Sequence, residues 1–99
     1  MHTIVRINIE NIEELIYIVE EKITPSLLQQ RGCRQIQIFK SLENPNELNI
    51  ISEWDTEEDA RNYFRLDKIH TLWESLPNAH LVGGIRYLKL VYNSKKNDA

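Results

Sequence analysis

The spacing of hydrophobic positions changes several times along the chain, and each change predicts an element. From Thr3 to Ile9 the pattern alternates, with Val5, Ile7 and Ile9 on one side and Ile4, Arg6 and Asn8 on the other. That period of two, in β-branched residues, predicts a strand. At Ile12 the period changes. Ile12, Leu15, Ile16, Val19, Ile23 and Leu27 recur at helical spacing, with Glu13, Glu20, Glu21 and Lys22 between them. Asn11 fits the N-cap, and Glu14 three residues on gives a capping-box spacing. Pro25 predicts a kink or a restart late in this helix, and Gly32 predicts its end.

Residues 33–41 read as a second strand and Leu48 to Trp54 as a third. Asn44-Pro45-Asn46 between them is a turn, because proline presets φ and asparagine tolerates left-handed backbone. Asp55 or Thr56 can cap a second helix, and Glu58 and Asp59 in its first turn suit the helix dipole. Ala60, Tyr63 and Phe64 share one face of it. The next apolar set is Ile69, Leu72, Trp73 and Leu76, and the five-residue step from Phe64 to Ile69 breaks the period. The break predicts two helical pieces, over about 56–66 and 68–76, with Asp67 able to cap the second. Pro77-Asn78 closes it. A last strand starts near Leu81 or Gly84 and runs to Tyr92, with Gly83-Gly84 marking a bulge or a close backbone approach. Residues 1–93 form one domain, and the polar residues 94–99 are a flexible tail with nothing to bury.

The element order is β-α-β-β-α-β, the ferredoxin-like plan of the α+β class, with an antiparallel sheet. Two helices cover one sheet face. Ile4, Ile36, Ile38, Ile51, Leu88 and Leu90 cannot all point at those helices, given the residues that alternate with them. A sheet with apolar residues on both faces needs a second cover. A second copy of the same sheet supplies one and predicts a homodimer through the sheet face. The plainer alternative is a monomer with modest exposed patches.

Composition narrows the function classes. The chain has 99 residues, 41% of them apolar, and a net charge of −3. This is ordinary for one globular domain. An acidic balance argues against nucleic acid as the main partner. No apolar run approaches the ~18 residues of a membrane span, and Met1 leads straight into the strand pattern rather than into a secretory leader. A cytoplasmic protein is expected. The single cysteine, Cys33, excludes an internal disulfide framework and reads as a small buried hydrophobe. His2, His70 and His80 show no metal-ligand spacing, so no metal is expected.

Three stretches carry a resemblance. They are Arg31-Gly32-Cys33 entering a strand, Ser41-Leu42-Glu43-Asn44-Pro45-Asn46 in the hairpin, and Ile51-Ser52-Glu53-Trp54-Asp55-Thr56 before a helix. Together they resemble the antibiotic biosynthesis monooxygenase family over about residues 3–92. The resemblance implies a dimeric α/β barrel whose protomer holds a pocket between helices and sheet. It also implies the activity of some members, oxidation of quinols or polyketide anthrones by oxygen with no metal or flavin. No cofactor is therefore expected. A related branch binds and degrades heme. In many members a His-Phe pair comes after the bend of the second helix, and by count from Trp54 it falls here on Lys68-Ile69. The heme branch uses an asparagine from strand one with a tryptophan and a histidine. Tyr63 and Trp73 stand at the latter two positions, and Asn8 could supply the first. Without the axial imidazole, heme is the least favoured reading.

The candidate catalytic residues are His70, Tyr63 and Asn8. His70 titrates near neutrality and can act as a general base. Phe64, Trp73, Arg6 and Trp54 are candidate substrate-binding residues, the aromatic ones by stacking. Each has a structural alternative. His70 can lie on the surface, Tyr63 and Trp73 can be ordinary core, and Trp54 can be a packing anchor. Asn8 and Arg6 share one strand face and can belong to the dimer interface. The expected function is cofactor-independent monooxygenation of a small aromatic, quinol-like compound. The alternative is a non-catalytic dimeric module of the same fold that binds a small molecule or serves a stress response.

Overall fold

The computed structural model describes residues 1–66, 80–81 and 83–96. The order of elements begins with β1 (His2–Asn8), α1 (Ile12–Ile18), a π turn (Val19–Ile23) and α2 (Thr24–Leu28). It continues with β2 (Cys33–Lys40), β3 (Glu47–Trp54), α3 (Glu57–Phe64), β4 (His80–Leu81) and β5 (Arg86–Leu88). The strands lie in the order β2-β3-β1-β4, with β5 also on β1. Every pairing is antiparallel. This is the expected ferredoxin-like α+β architecture. The expected helical piece over 68–76 lies outside the described residues.

Local chemistry sets the element ends. The Asn11 side chain accepts the Glu14 backbone N–H at 3.1 Å and starts α1. The Thr56 hydroxyl accepts the Asp59 N–H at 3.1 Å and starts α3, which settles the choice between Asp55 and Thr56. In the β2–β3 turn the Ser41 hydroxyl accepts the N–H groups of Glu43 and Asn44, and the Asn44 amide oxygen accepts that of Asn46. Gly32 has φ +85°, and a Cβ there would run into the Asp59 carboxylate. Only glycine turns the chain from α2 into β2 so close to α3.

One expectation is met and one needs correction. The helix restarts at Pro25, which stands in the first turn of α2. The helix widens one turn earlier, and the Thr24 N–H reaches back five residues to the Val19 carbonyl. Proline at the first turn of α2 lacks an N–H, and its ring would press on the carbonyl four residues before it, so a wide turn accommodates both. The last strand does not run unbroken to Tyr92. Gly83 and Gly84, with φ +74° and +71°, separate β4 from β5, and the ladder on β1 ends at the pair Leu88–His2. Among the described residues, no atom lies within 4 Å of a Cβ built on either glycine. The positive φ at both positions is the backbone geometry that favours glycine.

The core lies between the sheet and the helices. Val5, Ile7 and Ile9 from β1 and its end meet Leu48, Ile50 and Trp54 from β3. Ile12, Leu15, Val19, Ile23 and Leu27 come down from the first helical layer, and all of these are buried. Full burial of each large aliphatic side chain contributes about 1.5–3 kcal/mol. Ile36 and Ile38 pair with Ser52 and Ile50 and pack against this core.

Candidate functional site

The site grows from the end of β3. Trp54 closes that strand with 2% of its surface exposed, and its indole N–H donates to the Thr3 hydroxyl at 3.2 Å. Two residues later Thr56 caps α3, and Ala60, Tyr63 and Phe64 then fall on the buried helix face. The rings meet as the spacing requires. Trp54 and Tyr63 lie 5.6 Å apart, Tyr63 and Phe64 meet edge-on at 4.8 Å, and Phe64 meets Tyr87 of β5 at 6.4 Å. The Arg61 guanidinium covers the outer side of Tyr87 at 4.1 Å and pairs with Glu57 one turn back.

Outside this aromatic wall lies an open cleft of about 550 Å³. Gln30 and Arg31 of the α2–β2 corner form one bank. Thr56, Glu58, Asp59, Asn62 and Leu66 form the other, and Tyr63 stands at its inner margin. The turn at Gly32 brings the two banks together. The volume falls within the range of small-molecule sites, roughly 300–1,000 Å³. The lining offers a guanidinium, two amides, a hydroxyl and two carboxylates, so it can hydrogen-bond a hydroxylated ligand and accept a proton from it. Among the described residues, no cluster of His, Cys, Asp or Glu could hold a metal ion.

The structure divides the candidate residues between two places. Tyr63, Phe64 and Trp54 come together on the helix side of the sheet. Asn8 and Arg6 do not join them. They lie on the opposite face, since Val5 and Ile7 alternate with them and point into the core. Arg6 sits 3.9 Å from Glu47 there. It also borders a second hollow of about 190 Å³ with Ile4, Asn49, Gly83, Gly84 and Arg86. The Asn8 side-chain oxygen is shielded from solvent and has no hydrogen bond among the described residues. His70 and Trp73 lie outside the described residues. Cys33 is half-buried, and burial pushes its thiol up, with a backbone hydrogen bond from Gln35 acting the other way. That disfavours the nucleophilic thiolate.

Sequence reasoning missed most of the cleft lining. A signal was present. Thr56, Asp59, Tyr63 and Leu66 succeed one another at three or four residues, which places them along one helix flank. Arg31 directly precedes the glycine that folds the corner back on that flank.

Comparison with known proteins gives the context. The model of the antibiotic biosynthesis monooxygenase family matches residues 1–76. No curated protein matches the sequence. Among solved structures, SnoaB, a cofactor-independent oxygenase from Streptomyces nogalater, superposes with a TM-score of 0.72 at 11% identity, covering 94% of this chain and 96% of that one. A proposed antibiotic biosynthesis monooxygenase from Deinococcus radiodurans gives 0.71 at 13% identity, with 96% and 98% covered. A conserved protein from Methanosarcina mazei Go1 gives 0.60 at 22% identity, with 89% and 91% covered. At these identities the likeness is one of fold. The family match extends over most of the sequence, and the chain belongs to the antibiotic biosynthesis monooxygenase family.

Proposed function

We propose that the protein oxidises a small aromatic, quinol-like or anthrone-like compound with molecular oxygen and no resident cofactor. The carrying observation is the cleft beside Tyr63, lined by Arg31, Glu58, Asp59 and Asn62, in a chain of this family. Its likeness in fold to an oxygenase named as cofactor-independent supports the same reading. The chemistry asks little of the protein. The ligand must lose a proton, and its electron-rich anion then passes an electron to oxygen. Recombination places one oxygen atom on carbon, and the other leaves as water, so a CH2 carbon and O2 give a carbonyl and H2O. A carboxylate of Glu58 or Asp59 can take the proton. The Arg31 guanidinium can stabilise the anion left behind, and the buried Tyr63 closes the inner margin of the cleft. His70 and Trp73 remain proposed contributors to the same pocket.

The proposal also includes a homodimer. Ile4 and Ile51 pair on the sheet face away from the helices, and Phe39 and Leu88 lie on that same face with 47% and 38% of their surfaces exposed. A second copy would cover them, and Asn8 and Arg6 would then belong to that interface.

One observation favours a non-catalytic binding module instead. In the described part of the space between α3 and the sheet, Trp54, Tyr63 and Phe64 fill the volume themselves, each no more than 7% exposed. Oxygen uptake separates the two readings. The purified protein is expected to consume oxygen with at least one member of a panel of reduced quinones and anthrones. Glu58→Gln combined with Asp59→Asn should keep the fold and lower turnover roughly tenfold or more, the scale of a lost proton acceptor. Ligand binding with no oxygen uptake across the panel would select the binding module.

A further inference from the structure

The glycine pair between β4 and β5 opens a gap beside β1. β4 pairs with Ile7 and Asn8, and β5 pairs with His2, Thr3 and Ile4. Among the described residues, Val5 and Arg6 have no ladder partner on that side. The hollow of about 190 Å³ lies at this gap, on the sheet face away from the helices, and is lined by Ile4, Arg6, Asn49, Gly83, Gly84 and Arg86. The register explains why its polar side chains converge. Arg86 stands directly across from Ile4, and Asn49 directly across from Arg6. Arg6 and Arg86 are therefore diagonal neighbours on one face, about 7–8 Å apart at their stems and within reach of each other's long side chains.

Two guanidiniums keep their charge at any ordinary pH, and this close together they repel. One carboxylate offsets part of that. Glu47 comes to 3.9 Å from Arg6, and its other oxygen accepts the Asn49 side-chain N–H at 3.1 Å. Among the described residues, Arg86 has no ion pair. Two cations against one carboxylate leave the hollow with an excess of one positive charge, in a chain whose net charge is −3.

The lining selects the ligand. A guanidinium offers two parallel N–H groups that match the two oxygens of a planar carboxylate. The Asn49 amide keeps a second N–H beyond the one that Glu47 accepts. A single negative charge balances the excess, whereas a dianion would overshoot it beside Glu47. Ile4 supplies an apolar floor between the two arginines. The volume is below the roughly 300 Å³ at which sites for larger ring systems begin, so it suits a short alkyl stem. We propose that this hollow binds the carboxylate of a small aliphatic acid, with the head group between Arg6 and Arg86 and the stem on Ile4. The site is built from one chain and does not rest on the homodimer. It lies across the sheet from the Tyr63 cleft, apart from the oxidation proposed there.

The test titrates the full chain with butyrate at constant ionic strength, follows the backbone amide chemical shifts, and repeats the titration with butyramide and with inorganic phosphate. Butyrate should give saturable shifts at Ile4, Arg6, Asn49 and Arg86, and neutral butyramide should give none. Arg86→Gln, at an exposed position, should weaken butyrate binding roughly tenfold or more, the scale of one lost charge-assisted hydrogen bond. Arg86→Lys keeps the charge without the fork and should fall between the two. Glu47→Gln removes the competing carboxylate, so butyrate should bind a few-fold more tightly and phosphate should gain more than butyrate. Shifts that do not saturate, that butyramide reproduces, or that Arg86→Gln leaves unchanged overturn the site. Phosphate bound more tightly than butyrate at the same amides of the parent overturns the assignment to a monocarboxylate. A chain that sediments as a dimer and binds no butyrate overturns the site and leaves the homodimer standing.

Discussion

The two faces of the sheet come from the same strands, with alternate residues assigned to each, and they obey different rules. Toward the helices stand Thr3, Val5, Ile7, Leu48, Ile50, Ser52 and Trp54, all 3% exposed or less. The two polar members of that set are the exception that shows the rule. The Thr3 hydroxyl accepts the Trp54 indole N–H, so a buried donor has its acceptor. On the other side Ile4, Ile51, Phe39 and Leu88 are interspersed with Arg6, Asn49, Gln37 and Arg86. The first face is complete within one chain. The second is too apolar for a surface meant to stay wet and too polar for a core, which is the composition of an interface. The contrast locates function as well. The candidate cleft borders the complete face, where rigid packing holds Tyr63. The proposed homodimer would use the incomplete one.

The largest effect should come from breaking the complete face at its widest side chain. Trp54→Ala removes a buried indole that touches Tyr63 and Phe64 and abandons the Thr3 hydroxyl. A loss of about 3–5 kcal/mol is expected in urea unfolding. A loss under about 1 kcal/mol would mean that the aromatic wall can collapse into the gap, and the rigidity assigned to Tyr63 would go with it.

A smaller effect sharpens the same point. Thr3→Val keeps shape and burial but leaves the Trp54 N–H without its acceptor. The cost should be about 1–3 kcal/mol, that of one unsatisfied buried donor. Adding Trp54→Phe should recover part of it, because the stranded donor is then gone. If the double variant merely sums the two single losses, the hydrogen bond is not what ties β1 to the end of β3.

This contrast was partly legible in the sequence. Alternation in β1 separated its two faces residue by residue, and the capping signals at Asn11 and at Asp55 or Thr56 marked where both helices begin. The need for a second cover came from Ile4, Ile36, Ile38, Ile51, Leu88 and Leu90 together, of which Ile36 and Ile38 pack against the helix-side core. What escaped was set by tertiary geometry. The π turn before Pro25 depends on how one helix absorbs a missing N–H, which periodicity does not record. The end of β5 at Leu88 depends on where its ladder with β1 stops, while the strand-like composition runs on to Tyr92. The site was legible only in outline. Tyr63 and Phe64 stood out as aromatics on one helix face, and Trp54 as an aromatic at a strand end. Arg31 and Asn62 did not, because what brings them together is the turn at Gly32 and its tight approach to Asp59.

The smallest effect on the protomer should come from the incomplete face, and it tests the contrast most directly. Ile51 lies between Ile4 on β1 and Gln37 on β2, on the side away from the helices. Ile51→Lys places an ammonium there on a long stem that reaches water in a single chain. Protomer stability, read by urea unfolding at concentrations too low for association, should change by no more than about 0.5–1 kcal/mol. In a stacked pair of sheets the same charge would be desolvated near its counterpart, so sedimentation should show the variant as a monomer at concentrations where the parent is a dimer. The Tyr63 cleft lies across the sheet from this substitution, so ligand affinity measured there should stay within about threefold of the parent. If Ile51→Lys instead cost as much as Trp54→Ala in dilute protomer, the open face would be part of the folding core of one chain. The division of the sheet into a self-sufficient side and a shared side would then be wrong.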